Sequence, residues 1–451
     1  MTDDISRRGF LATSAALAGT IALPGHGLAA QGGGGDYRAL VAVMMRGGLD
    51  AHDCLIPTDP AGYGDWAKAR AAILDGGAPN RDRASLLPLE GLGQSFGFAP
   101  ELEALMPYFN DGRLAIVPNI GPLVEPTDAR SLSGNRKRLL PPRIGSHNDQ
   151  QSVWEGLSAE GARWGWGGRI IDAVAPNERF AAIPIDQNAL FTYGRDSRPV
   201  VVGAGKVKPP LGASDKLYGS KVLPQLLREH LSSGAVGRTN ILARDIAQFQ
   251  QRALDDYMML SELLKDDETG SNVRIEGNGL SQELSAVASL IANRGALGAR
   301  RQVFFVQASG TFDTHARQMN ILPGQQTQIA TALARFQEAL DTMGLGEQVT
   351  TFTMSDFGRT LVSNRSGTDH GWGGHSYVLG GAGRGGRAVG TIPPSATGHD
   401  HDYRRGSLIP QFAIEQMGAD LARWMGVAEA DLDAIFPQLG RFDRHGVSLF
   451  G

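Results

Sequence analysis

The chain of 451 residues contains a single cysteine, Cys54. That excludes an internal disulfide, a thiolate zinc cluster and an iron–sulfur centre, each of which needs more than one. Neither sign of charge is in excess, with 43 Lys+Arg against 47 Asp+Glu and a net charge of −4. A nucleic-acid binder normally carries a basic face, so no nucleic-acid partner is expected. Beyond residue 30 no stretch offers about 18 uncharged apolar residues, so no membrane span is expected in the mature chain. What is abundant is glycine, 60 residues, without a collagen-like period or a repeat unit. The excess reads as many tight loops. At 41% hydrophobic residues the chain is too apolar for a disordered tail and long enough for one large core or two ordinary ones.

The first thirty residues read as an address. Arg7-Arg8-Gly9-Phe10-Leu11 precedes a weakly apolar run from Leu11 to Leu23, and small residues lead to a cut after Ala29 or Ala30. Paired arginines before such a segment are a twin-arginine export signal. The expected partner is therefore the twin-arginine export machinery, and the expected location periplasmic or secreted. Cleavage removes Asp3 and Asp4 with Arg7 and Arg8, so the charge stays at −4. Residues 31–35 form a glycine spacer, and residues 36–451 read as a single domain.

Within that domain, short apolar runs bounded by turn residues suggest buried strands at Tyr37 to Met45, Leu114 to Val117, Arg301 to Gln307 and Gln348 to Met354. Helical periodicity is expected over Pro100 to Phe109, Gln325 to Met343, much of Asn240 to Ala296, and Leu408 to Met425. Val124 to Ile144 and Pro209-Pro210 read as loop insertions. Strands alternating with helices imply an α/β fold, an αβα sandwich with a mostly parallel central sheet.

Ligands in open α/β sheets bind beyond the carboxyl ends of the strands. Three of the expected strands run into glycine-rich loops that carry acids and histidines. The first loop, Arg46-Gly47-Gly48-Leu49-Asp50-Ala51-His52-Asp53, offers Asp50 and Asp53. The second, through Thr311-Phe312-Asp313-Thr314-His315, offers Asp313 and His315. The third, Ser355-Asp356-Phe357-Gly358-Arg359, offers Asp356 and Arg359, and the next loop carries His370 and His375. Gathered carboxylates repel one another unless a positive charge lies between them. A divalent metal fits: mixed Asp/His ligation suits zinc, manganese or iron better than calcium, and the expected cofactor is zinc first, with manganese or calcium as alternatives. Such a cation could polarise an ester oxygen and acidify a water. Ser146 and His147 sit where a helix is expected to start, as N-cap residues or as a nucleophile and ligand. The same acids and histidines also serve commonly as caps and turn residues. Gly381 to Gly386 has the glycine spacing of a dinucleotide loop but no helix after it. Gly93-Gln94-Ser95-Phe96-Gly97 has nucleophile-elbow spacing but no strand before it. Both read as turns.

These motifs together resemble the domain-of-unknown-function 1501 family. The likeness rests on the twin-arginine start, Arg46-Gly47-Gly48-Leu49-Asp50, Ser146-His147 with Asp149-Gln150, Phe312-Asp313-Thr314-His315 with Gln318, Ser355-Asp356-Phe357-Gly358-Arg359-Thr360, and Gly367-Thr368-Asp369-His370-Gly371-Trp372-Gly373. It spans the mature chain. The family is grouped with the alkaline-phosphatase-like superfamily, which implies the sandwich fold. The resemblance also implies Asp50 or Asp53 as a metal ligand, Ser146 as nucleophile, Asp313 and His315 on one metal, and His370 from a later loop. Two departures stand out. Asp313 and His315 are separated by one residue where the superfamily has three, and Phe357 stands beside Asp356 in place of a histidine; His375 or His147 could substitute. The expected function is a metal-dependent hydrolase of a phosphate or sulfate ester, with Arg46 or Arg359 steering an anionic small molecule or glycan. The alternative is a non-catalytic envelope protein that binds a ligand or partner on the same scaffold. A redox enzyme loaded with a cofactor before export is a third reading.

Overall fold

Residues Arg38–Met45 bury every side chain but the first. Their alternation sends Ala39, Val41, Val43 and Met45 into one core and Leu40, Ala42 and Met44 into another. A strand with apolar groups on both faces needs cover on both faces, and that requirement organises the molecule. The computed structural model describes residues 37–75, 80–159, 161–204, 216–233, 240–264, 273–277 and 279–450. The export signal, the glycine spacer and Pro209-Pro210 lie outside the described residues.

The main sheet contains β1 (Arg38–Met45), β2 (Leu114–Gly121), β3 (Ala182–Pro184), β4 (Arg301–Gln307), β5 (Val349–Ser355), β6 (Gly374–Gly380), β7 (Arg387–Ala388) and β8 (Phe412–Ala413). Their order is β7-β2-β6-β5-β1-β4-β3, with β8 paired to β2. β1 lies between β4 and β5 and is parallel to both. β6 runs antiparallel to β5 and to β2. The sheet is therefore mostly parallel.

The principal helices are α1 (Pro60–Leu74), α2 (Ala129–Leu139), α3 (His147–Gly156), α4 (Trp166–Val174), α5 (Ile241–Leu263), α6 (Leu280–Ala292), α7 (Gln318–Thr342) and α8 (Ile414–Met425). One face of the sheet is covered by Leu284 and Val287 of α6 and by Leu322, Leu333, Phe336 and Leu340 of α7. The other is covered by Trp166 and Ile170 of α4 and by Ile414, Met417 and Leu421 of α8. This is an αβα sandwich. Each fully buried Leu, Ile or Phe contributes about 1.5–3 kcal/mol of transfer free energy, so both cores are needed to hold the central strands.

Several elements differ from the sequence expectation. The stretch expected to be an insertion loop holds α2, whose Leu132 and Leu139 pack in a small core with Trp372 and Ile409. α7 begins at Gln318, ahead of Pro323; proline removes one helical hydrogen bond without ending a helix held by tertiary packing. Pro100–Leu105 is a 3-10 segment before a short helix. The closing helix starts only at Ile414, because Ser407–Leu408 and Phe412–Ala413 are extended. Phe96 and Gly97, expected in a turn, belong to the short strand Phe96–Phe98, which Ser95 directly precedes.

Candidate metal centre

β1, β4 and β5 are adjacent and parallel, so their carboxyl ends and following loops share one rim. Gly47 and Gly48 let the first of these loops turn away at close quarters. Both have positive φ, and a Cβ on Gly47 would meet the Asp313 nitrogen at 2.5 Å while one on Gly48 would meet the Phe357 ring at 2.6 Å. Only glycine fits there.

The rim brings together His147 from the start of α3, Asp313 after β4, Asp356 after β5 and His370 from the downstream loop. His147 Nδ1 lies 2.6 Å from Asp356 Oδ2. A carboxylate accepts, so Nδ1 is the donor, and in the neutral ring Nε2 is the nitrogen with the free lone pair. Asp356 Oδ2 is fixed in turn by the Gly47 N–H at 3.0 Å and by Gln151 Nε2 at 3.1 Å. His370 Nδ1 donates to the Gly145 carbonyl at 2.8 Å, which leaves its Nε2 unprotonated as well. That nitrogen lies 3.1 Å from Asp313 Oδ1, and His147 Nε2 lies 3.5 Å from Asp313 Oδ2. Donor atoms of His147, Asp313 and His370 all fall within 4.8 Å of one another. His315 Nε2 joins the edge, 2.9 Å from His370 Nε2 and 3.1 Å from Asp313 Oδ1.

This donor set fits a cation. Ligands about 2.0–2.1 Å from a tetrahedral zinc sit roughly 3.3 Å apart, near the 3.1 and 3.5 Å between each histidine and its facing Asp313 oxygen. Outer hydrogen bonds from the far nitrogen of each histidine are the usual means of orienting metal ligands. Asp356 Oδ1, fully buried, has no hydrogen-bond partner and is a further oxygen that a cation could satisfy.

Electrostatics hold the cluster in its ligating form. Burial works against ionisation of Asp313, but Arg359, 2.8 Å from Oδ1, keeps its carboxyl below the usual range. Burial lowers the His370 pKa and favours the neutral ring. The Phe357 ring lies 4.8 Å from the His147 ring and 4.5 Å from the His370 ring, centroid to centroid. It forms an apolar wall beside both imidazoles.

The remaining expected site residues have other partners. Both Asp50 oxygens are taken by Arg70, and Oδ2 also accepts from Gln318 Nε2 at 2.6 Å. Burial opposes its ionisation, yet the Arg70 guanidinium leaves the Asp50 pKa lowered. Asp53 accepts from Nε and Nη2 of Arg81, at 3.1 and 2.8 Å. His375 accepts the Asn119 N–H on Nδ1 at 3.0 Å, and burial pushes its pKa down to about 4. Arg359 is fully buried and donates to Thr368 and the Gly47 carbonyl as well as to Asp313. Ser146 Oγ donates to Asp149 Oδ2 at 2.7 Å, three residues on, where a capping box places its acid. Burial pushes the Cys54 thiol up to about 12, so it is inert.

Sequence reasoning did not single out the network behind the cluster. Gln318 donates to Asp50 and accepts from Thr314 and Thr368 at 3.1 and 2.7 Å. Thr368 accepts from Arg359, so Asp50 connects to Asp313 through Gln318, Thr368 and Arg359. Gln318 was visible as part of the motif after His315; Arg70, on α1, carried no local signal.

The structure is thus an αβα sandwich with a His/Asp/His cluster at the carboxyl ends of its central strands. Residues 37–429 match the family described as Protein of unknown function (DUF1501), and the chain belongs to that family. No curated protein matches it. Solved structures similar to it include the PsFucS1 sulfatase from Pseudoalteromonas sp., at 9% identity and TM-score 0.32 over 87% of this chain and 68% of that one. Another is the C-terminal periplasmic domain of EcEptC from Escherichia coli, in complex with Zn, at 9% and 0.35 over 88% and 85%. A third is the phosphonate monoester hydrolase SpPMH from Silicibacter pomeroyi, at 10% and 0.35 over 87% and 74%. At these values they bear on neither ligand nor reaction. Among the described residues no helix is long and apolar enough to cross a membrane.

Proposed function

We propose that the protein is a metal-dependent hydrolase of a phosphate or sulfate ester, exported by the twin-arginine pathway to the periplasm or beyond. The observation that carries this reading is the convergence of His147 Nε2, Asp313 and His370 Nε2, with each imidazole's other nitrogen committed to an acceptor. Those three residues would hold the metal, and His315 and Asp356 stand next to them as further candidate donors. Zinc suits the donors best, ahead of manganese and calcium. A bound divalent cation supplies charge stabilisation to the ester oxyanion and acidifies water.

The chain's own groups do the positioning. Asp356 and the Gly145 carbonyl fix the two rings, Arg359 fixes Asp313, and Phe357 keeps water from one side. The amino end of α3 favours an anion beside Ser146. Ser146 is the candidate nucleophile: its Oγ would bond to phosphorus or sulfur as its proton passes to Asp149 and the bond to the ester oxygen breaks, the leaving alkoxide taking a proton from water; a second water would then attack the enzyme ester, its oxygen going to phosphorus or sulfur and a proton returning to Ser146. The export reading rests on Arg7-Arg8 and the apolar run that follows.

A binding protein on the same scaffold is favoured by one observation: Asp50 and Asp53 are each neutralised by an arginine, which leaves fewer acids for metal than the superfamily pattern implies. Metal analysis and a screen of aryl phosphate and sulfate esters decide between the two. The hydrolase reading expects turnover that is lost with metal in His370→Ala. A protein inactive after zinc, manganese and calcium are each restored is the binding protein.

A further inference from the structure

A chain that folds in water rarely leaves a contiguous apolar face uncovered. Here every exposed leucine and phenylalanine among the described residues lies on α5 or on the helix Leu223–Ser233 that packs beside it. α5 turns Ala247 and Leu254 toward the domain, where both are buried. Another side of the same helix carries Leu242, Ile246 and Phe249, which are 65, 50 and 69% exposed, followed by Ala253. Their spacing of four, three and four residues is that of the apolar seam of a coiled coil. One flank of this seam holds Asp245 and Arg252, a heptad apart. Both are exposed, and neither side chain makes a hydrogen bond or salt bridge among the described residues. The nearby Asp256 is already held by Arg179. The seam ends at a cleft of about 740 Å³ between α5 and residues 199–201, lined by Phe249 and Ala253.

We propose that a second copy of this chain covers the face, with the two α5 helices antiparallel about a two-fold axis. In that arrangement Phe249 packs on Ile246 of the second copy, and Leu242 packs on its small Ala253 at the mouth of the cleft. An antiparallel pair also brings the same flank of both helices together. Asp245 of each copy then faces Arg252 of the other, so the axis makes two ion pairs from one pair of residues. Parallel helices would set Asp245 against Gln250 and Arg252 against Tyr257, and neither charge would be answered. The helix is complementary to itself in the antiparallel orientation alone. A membrane surface is the other natural cover for an apolar helix face, but such helices carry Lys and Arg on the polar side. α5 has four acids, Asp245, Asp255, Asp256 and Glu262, against two arginines, and anionic lipid would repel it.

Sedimentation velocity of the full-length mature protein between about 1 and 200 μM should show a monomer–dimer equilibrium with micromolar dissociation, as suits so short a seam. Phe249→Asp should weaken the dimer more than about 30-fold. Its urea midpoint should match that of wild type at a concentration where both are monomeric, because the ring is exposed in the single chain. Asp245→Arg makes the flank wholly basic and Arg252→Asp makes it wholly acidic; each variant alone should dimerise at least about tenfold more weakly. Mixed in equal amounts, the two variants should form a heterodimer within about threefold of the wild-type affinity. A protein that is monomeric at the highest concentration, a dimer indifferent to Phe249→Asp, or charge variants that fail to associate on mixing would each overturn the proposal. So would capture by phosphatidylglycerol vesicles that depends on Phe249 and occurs without a dimer, which would make the face a membrane contact. Metal uptake by the His147 cluster is expected in monomer and dimer alike.

Discussion

The Nδ1 of His147 lies 2.6 Å from Oδ2 of Asp356, and this contact turns the opposite nitrogen of the ring toward Asp313. Asp356 thus orients a donor at a distance from the bond it makes possible. Asp356→Asn should lower zinc affinity about 10- to 100-fold while leaving the fold intact, because the amide can hold the ring in the wrong tautomer. Competitive zinc titration measures this, and an unchanged affinity would remove Asp356 from the centre.

Asp50 and Arg70 are both buried and make a paired contact. Arg70→Met should destabilise the protein by about 3–5 kcal/mol, since it leaves a carboxylate without its counter-charge. The double variant with Asp50→Asn should recover much of the loss. Because Arg70 keeps the folded Asp50 pKa below its unfolded value, its contribution is complete above roughly pH 4 and is lost as pH falls through the lowered folded value. Urea unfolding between pH 3 and 6 reads both effects.

His375 and His52 are buried, with pKa values pushed down to about 4 and about 3. Unfolded, each takes up a proton near pH 6.5; folded, neither does until far lower. Stability should therefore decline as pH drops from 6.5 toward 4, by about 1.4 kcal/mol per unit for each histidine. His375→Gln should remove one proton's worth of that slope. An unchanged slope in the variant would contradict the burial argument.

Much of the fold was legible because its central strands are buried on both faces. Arg301–Gln307 is centred on the apolar run Val303–Val306, and its structural limits are those of the sequence expectation. β6 was not legible: its glycines and His375 mask a strand whose burial is set by neighbours distant in sequence. α2 was hidden for a related reason, its charged face concealing the two leucines that anchor it. In the site, strand ends and glycine turns pointed to Asp313, Asp356 and His370. What each acid does depends on which arginine reaches it. Arg70 and Arg81 meet Asp50 and Asp53 only through tertiary packing, and no spacing in the chain announces those pairs.

The central claim is that His147, Asp313 and His370 hold one divalent cation. Elemental analysis of the purified mature protein, after equilibration with zinc, manganese or calcium and removal of excess ion, tests it most directly. The account predicts one tightly held equivalent per chain, zinc preferred, lost in His147→Ala and in His370→Ala while both variants keep a cooperative unfolding transition. No retained metal, or metal retained in full when both histidines are gone, would contradict it.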